Sequence, residues 1–128
     1  MRLSPFALLD HWRAGTPRPD KVGWLGNVAY AHRGLHLPGV PENSLSAFRG
    51  AIARGMGIEC DVQRSADGQA MVFHDSELDR LTAETGPLGA RRAEDLTRIV
   101  LSGSEDRIPT LRQMLDEVEI GRASCRER

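Results

Sequence analysis

Residues 57–62 read Gly-Ile-Glu-Cys-Asp-Val, an alternation with the two-residue period of a β-strand. Glu59 and Asp61 then project to one face, and Ile58, Cys60 and Val62 to the other. Two carboxylates on the inner face of a helix-covered sheet need a partner, because burying them unpaired is costly. Either the acidic face is solvated on an edge strand, or a cation neutralises it. A hard divalent ion such as Mg²⁺ or Ca²⁺, which takes oxygen ligands, suits that second case.

Two other apolar runs end in chemistry-bearing residues. Val28-Ala29-Tyr30-Ala31 opens into His32-Arg33-Gly34, and Ala70-Met71-Val72-Phe73 leads into His74-Asp75. Both histidines fall at the carboxyl ends of strands, where sites gather in parallel α/β folds. Imidazole suits proton transfer near neutral pH. A lone histidine is more often a satisfied core or surface group, but two histidines and two acids at successive strand ends weaken that reading. Arg33 offers a planar donor fork suited to phosphate oxygens, against the alternative of a surface arginine. Glu42, just before a helix, either complements the helix dipole or reaches the site. His11 and His36 have no comparable setting and read as structural or solvated.

The intervening pattern is helical. Asn43 or Ser44 can cap a helix whose stripe is Leu45, Phe48 and Ile52, widened by Ala47 and Ala51, with Gly55 as its stop. Asp67-Gly68 is a turn. Ala93 to Leu101 suits a short helix. Thr110 with Gln113 has the spacing of a capping box, opening a last helix with Leu111, Met114, Leu115 and Val118 on one face. Leu3 to Ala14 is expected as an amphipathic helix, and Thr16 to Gly23 as a linker, since Pro17 and Pro19 interrupt helices. Strand, helix, strand, strand, helix, helix is the order of an α/β protein.

Composition narrows the function classes. Seventeen basic against 18 acidic residues give a net charge of −1, which argues against broad adhesion to nucleic acid or anionic membranes. No apolar run is long enough for a transmembrane helix. Cys60 and Cys125 are too isolated for a disulfide framework. The N-terminus lacks a continuous apolar signal region, so a cytoplasmic location is expected.

The runs Ala31-His32-Arg33-Gly34, Pro41-Glu42-Asn43-Ser44 with Ala47-Phe48 and Ala51, Gly57 to Val62, Asp67-Gly68 and Val72-Phe73-His74-Asp75 closely resemble the opening of glycerophosphodiester phosphodiesterases. Leu78, Arg80, Thr82, Gly86 and Ile108-Pro109-Thr110-Leu111 continue the resemblance, which covers about residues 28 to 118. It implies a TIM (β/α)8 barrel of the compact bacterial type, without the inserted domain of some relatives. The implied activity is hydrolysis of glycerophosphodiesters to glycerol 3-phosphate and an alcohol, in lipid and glycerol metabolism. By resemblance, His32 and His74 are the catalytic acid–base pair, Glu59 and Asp61 ligate Mg²⁺ or Ca²⁺, Arg33 contacts phosphate and Glu42 lines the site. The expected partner is a small glycerophosphodiester, without nucleic acid or membrane insertion.

At 128 residues the chain is shorter than the roughly 200 that a complete barrel needs. Only the first few β/α units are therefore expected, and the family's third metal carboxylate, on a later strand, has no counterpart. Residues 1–27 are read as an extension or linker, 28–118 as the start of the barrel. Residues 119–128 look like a translated short-read sequencing adapter, so a non-native tail on a truncated gene model is expected. Two alternatives stand beside this reading: an inactive fragment that binds metal or phosphate at most, and a phospholipase of the sphingomyelinase D type.

Overall fold

The computed structural model of the protein describes residues 18–126, with side chains as far as Glu119. The helix expected over Leu3 to Ala14 lies outside the described residues. The expected linker contains one helical turn, α1 (Pro19–Val22), with a proline in its first turn. Proline is accommodated there because the first N–H groups of a helix have no internal acceptor to bond. A 3₁₀ segment, Gly23–Asn27, follows.

Strand β1 (Tyr30–His32) pairs in parallel with β2 (Gly57–Glu59), and α2 (Leu45–Ala53) makes the crossover between them. Ser44 caps α2 by accepting a hydrogen bond from the Ala47 N–H, and Ala47, Phe48 and Ala51 are buried. Gly55 follows in the left-handed conformation (φ +65°) as the chain leaves the helix. The register sets His32 directly beside Glu59 and Tyr30 beside Gly57. A Cβ on Gly57 would lie 2.5 Å from the Tyr30 ring, so only glycine lets the tyrosine lie there.

The strand expected across 57–62 is divided. After Glu59 the chain leaves β1, and β3 (Val62–Arg64) pairs antiparallel with β4 (Ala70–Val72). Ile58 and Cys60 still pack together against the core, but Val62 is exposed because it belongs to the second sheet. The β3–β4 turn is held by Ser65, whose hydroxyl donates to Asp67 Oδ1 (2.7 Å) and accepts from the Gln69 N–H (2.9 Å). Gly68 takes φ +82°. Asp67 Oδ1 also accepts from the Ala93 N–H (2.9 Å), fixing the start of α3.

Helix α3 covers Ala93–Leu96, not the nine residues read from periodicity. Beyond it Leu101 bridges to Thr82 and Val100 to Arg107, so the apolar residues from Ile99 on are laid out as extended chain over the core. The last helix, α4 (Leu111–Arg126), begins with the expected box: the Thr110 N–H donates to Gln113 Oε1 (2.9 Å) and the Gln113 N–H to Thr110 Oγ1 (3.1 Å). Arg49 on α2 pairs with Glu117 on α4.

Strand β4 is buried on both faces. Met71 and Phe73 join Leu78, Leu88, Leu96 and Ile108 on one side, whereas Val72 joins Phe48 and Met114 on the other. This is the two-residue alternation of a strand covered on both sides, and it seats His74 and Asp75 at the strand's exit.

Candidate active site

Arg33 is the hub. It follows β1 in a left-handed conformation (φ +58°), which a non-glycine residue adopts only when surrounding contacts enforce it. Its N–H donates to Glu59 Oε2 (3.1 Å), and its carbonyl accepts from the Asn43 N–H (2.8 Å). The next residue, Gly34 (φ +79°), has no room for a Cβ, which would stand 2.8 Å from the Ala47 methyl and 2.9 Å from the Phe48 ring. Helix α2 thus presses on the loop and turns the Arg33 side chain inward.

That side chain meets two of the expected acids. Arg33 Nη1 donates to Glu42 Oε1 (2.9 Å), and Nε lies 3.3 Å from Asp61 Oδ2. The Asp61 approach is an ion pair rather than a hydrogen bond: Nε is buried with its N–H misdirected. Asn43 secures Asp61 instead, donating from Nδ2 to Oδ2 (3.1 Å) and accepting from the Asp61 N–H (3.3 Å). Asn43 is itself left-handed (φ +56°) and buried, a backbone state that asparagine tolerates better than most residues.

Glu42 thereby joins the same charge network as Arg33. A second arginine, Arg80, donates to it through Nη1 and Nη2 (3.2 and 2.7 Å) and holds Asp75 through Nε and Nη2 (2.6 and 3.0 Å). Asp75 Oδ1 in turn lies 2.5 Å from His74 Nδ1. On the other flank, His32 Nε2 is 3.9 Å from Glu59 Oε2, and both side chains are open to solvent. All six residues expected at the site, His32, Arg33, Glu42, Glu59, Asp61 and His74, thus lie on one connected polar chain. Asn43, Asp75 and Arg80 complete it. Their signals in the sequence were the asparagine following Glu42, the acid beside His74 and an arginine in the loop after β4.

The charges explain the protonation states. The Arg80 hydrogen bonds, opposed by burial and reinforced by Arg33, hold the Glu42 carboxyl below its ordinary range. Arg80, then His74, hold Asp75 well below its own. The Cys60 thiol, half-buried behind the acids, is pushed up by burial and then by Glu59 and Asp61.

Among the described residues no three His, Cys, Asp or Glu side chains converge as a ready metal cage. The donor chemistry still fits a hard cation. Three carboxylates, Glu42, Asp61 and Asp75, share the guanidiniums of Arg33 and Arg80, and Glu59 beside His32 is a fourth acid, an excess of negative charge that a divalent ion would offset. Glu59, beside His32, has the most open side chain of the four, and Asp61, two residues on, is partly exposed. One or two carboxylates plus water or phosphate oxygens is a usual Mg²⁺ arrangement.

Known proteins place this site in context. The model of the Glycerophosphoryl diester phosphodiesterase family matches residues 32–124. A glycerophosphodiester phosphodiesterase of Caldanaerobacter subterraneus subsp. tengcongensis is 37% identical over 96 residues, covering 70% of this chain and 39% of that protein. Glycerophosphodiester phosphodiesterase 1 of Bos taurus is 36% identical over 98 residues, covering 70% of this chain and 29% of that protein. The crystal structure of a glycerophosphodiester phosphodiesterase from Agrobacterium tumefaciens superposes with a TM-score of 0.65 at 31% identity, covering 73% of this chain and 43% of that one. An Oleispira antarctica phosphodiesterase in complex with the product sn-glycerol-3-phosphate superposes at 0.68 with 26% identity, covering 76% of this chain and 42% of that one. The chain therefore spans less than half the length of these relatives, and its architecture is part of a TIM barrel. Because the family match starts at His32 and runs through every residue of the polar chain, the protein belongs to the glycerophosphoryl diester phosphodiesterase family.

Proposed function

We propose that His32 and His74 are the general acid and base of a phosphodiesterase that releases glycerol 3-phosphate and an alcohol from glycerophosphodiesters. The observation that carries this is the one polar chain linking both histidines through Glu59, Arg33, Glu42, Arg80 and Asp75. Fold alone would not license a reaction; the arrangement of proton-transfer groups around anchored cations does.

One histidine takes the proton of the attacking hydroxyl, and the other gives a proton to the departing alkoxide. The attacking hydroxyl belongs to water or to the substrate's own glycerol, the latter closing a cyclic phosphate that water then opens. Arg33, pinned by Glu42, aims positive charge at phosphate oxygens. Glu59 and Asp61 would hold Mg²⁺ or Ca²⁺, which when bound supplies charge stabilisation to the phosphoryl oxygens.

Assay of glycerophosphocholine hydrolysis, with glycerol 3-phosphate as the readout, tests this on the complete reading frame that contains the sequence. His32→Ala and His74→Ala are each expected to lower turnover about 10²- to 10⁴-fold. Full activity in either variant overturns that histidine's role. The 128-residue chain by itself is expected to show no turnover, since a partial barrel supplies only part of the site; histidine-dependent turnover by it would overturn that expectation.

A further inference from the structure

We propose that Arg80 is a positioning residue that acts through Asp75 to hold His74 in its Nδ1–H tautomer, leaving Nε2 as the nitrogen that meets the reacting oxygen. This rests on the reading of His74 as a proton-transfer group, and it adds a residue to which that reading gives no task.

The argument begins at the ring. Among the described residues, the hydrogen bond on the His74 imidazole is the one to Asp75 Oδ1, at 2.5 Å. An ionised carboxylate only accepts, so the shared proton sits on Nδ1. Ring orientation and tautomer are set by the bond made at the other nitrogen. Asp75 can impose them only if its own carboxylate is fixed, and the adjacent backbone is well placed for that. Gln63 Nε2 donates to the His74 carbonyl (2.9 Å), and Phe73 is buried with its N–H on the Asp61 carbonyl (3.0 Å).

Arg80 fixes the carboxylate. Nε donates to Oδ2 (2.6 Å) and Nη2 to Oδ1 (3.0 Å), the two-pronged geometry that orients a carboxylate plane. An exposed arginine pair is ordinarily worth little. Here the same guanidinium is also held by Glu42 through two bonds, at 2.7 and 3.2 Å. Glu42 is nearly buried, and it is fixed in turn by Arg33. Arg80 is thus anchored from behind by the residue that also anchors the proposed phosphate-binding arginine. Glu42 is thus shared between Arg80, behind His74, and Arg33, which Asp61 also holds. Lysine, a point charge with no fork, would keep the charge but not this geometry.

The test reads the ring nitrogens of His74 by long-range ¹H–¹⁵N correlation on the intact chain without substrate, at a pH where the imidazole is neutral. Wild type is expected to show a protonated Nδ1 and a bare Nε2. Arg80→Gln is expected to lose that pattern, with the bare nitrogen moving toward Nδ1, while exposed His36 is unchanged. Arg80→Lys is expected to fall between the two. A bare Nδ1 in wild type overturns the proposal, as does an unchanged His74 pattern in folded Arg80→Gln. If Arg80→Gln does not fold, the wild-type pattern and Arg80→Lys decide: a Lys variant identical to wild type overturns it. Because no turnover is measured, failure here is separable from failure of the phosphodiesterase reading.

Discussion

At the scale of residues, Arg33 is the least comfortable position in the site. A left-handed non-glycine backbone costs about 1–2 kcal/mol, and the contacts to Glu59, Asn43 and the Gly34 turn hold it there. The acids around it carry a pH dependence whose sign is fixed. Glu42 and Asp75 titrate below their ordinary range in the folded chain, chiefly through Arg80. A depressed folded-state pKa contributes stability that is fully present above the unfolded carboxylate value of about 4 and is lost as pH falls through the folded value. The stability gap between wild type and Asp75→Asn should therefore be constant near neutrality and narrow below about pH 4. Urea unfolding across pH measures it, and a gap that stays constant into acid would show that Asp75 is not stabilised as its ion.

At the scale of elements, the loop from Arg33 to Ser44 is positioned by the cap of α2. Ser44 accepts from the Ala47 N–H (3.1 Å), donates to the Pro41 carbonyl (2.6 Å) and is fully buried. Replacing an N-cap serine by alanine costs about 1 kcal/mol, with an upper range near 2, and the buried second bond favours the upper value. Ser44→Ala should lower the urea midpoint accordingly without changing the slope; an unchanged midpoint would mean that the loop, not the cap, holds this end. The caps of α2 and α4 were legible because capping is local chemistry at fixed spacing. The division of the 57–62 strand was not. Its alternation is correct through Asp61, but which neighbour the chain pairs with is a long-range matter that periodicity does not encode. Ala93 to Leu101 misled for a related reason: Ile99 and Leu101 have apolar partners on either reading, and the bridges to Thr82 and Arg107 favour extended chain.

At the scale of the whole molecule, β1–β2 and β3–β4 form separate two-stranded sheets, and the proposed cation ligands stand at their junction. Glu59 ends β2, and Asp61 lies between β2 and β3. A cation bound there stabilises the native state by mass action. Adding Mg²⁺ or Ca²⁺ should therefore raise the melting temperature of wild type but not of Asp61→Asn. Equal response in both would remove Asp61 from the ligand set. Among the described residues no helix is long and apolar enough to cross a membrane.

The sequence by itself determined the chemistry on offer: two histidines at strand exits, two acids spaced two residues apart, an arginine and a glutamate in the loop between, and the caps that place the loops. These are local properties, set by side-chain type and by periods of two and 3.6 residues. Only the tertiary structure decided how they connect. Parallel register sets His32 beside Glu59, the Gly34 turn under α2 aims Arg33 at Glu42 and Asp61, and Arg80 closes the path to His74. Partners separated by up to 38 residues are chosen by packing and charge pairing in three dimensions, and no local pattern carries that information.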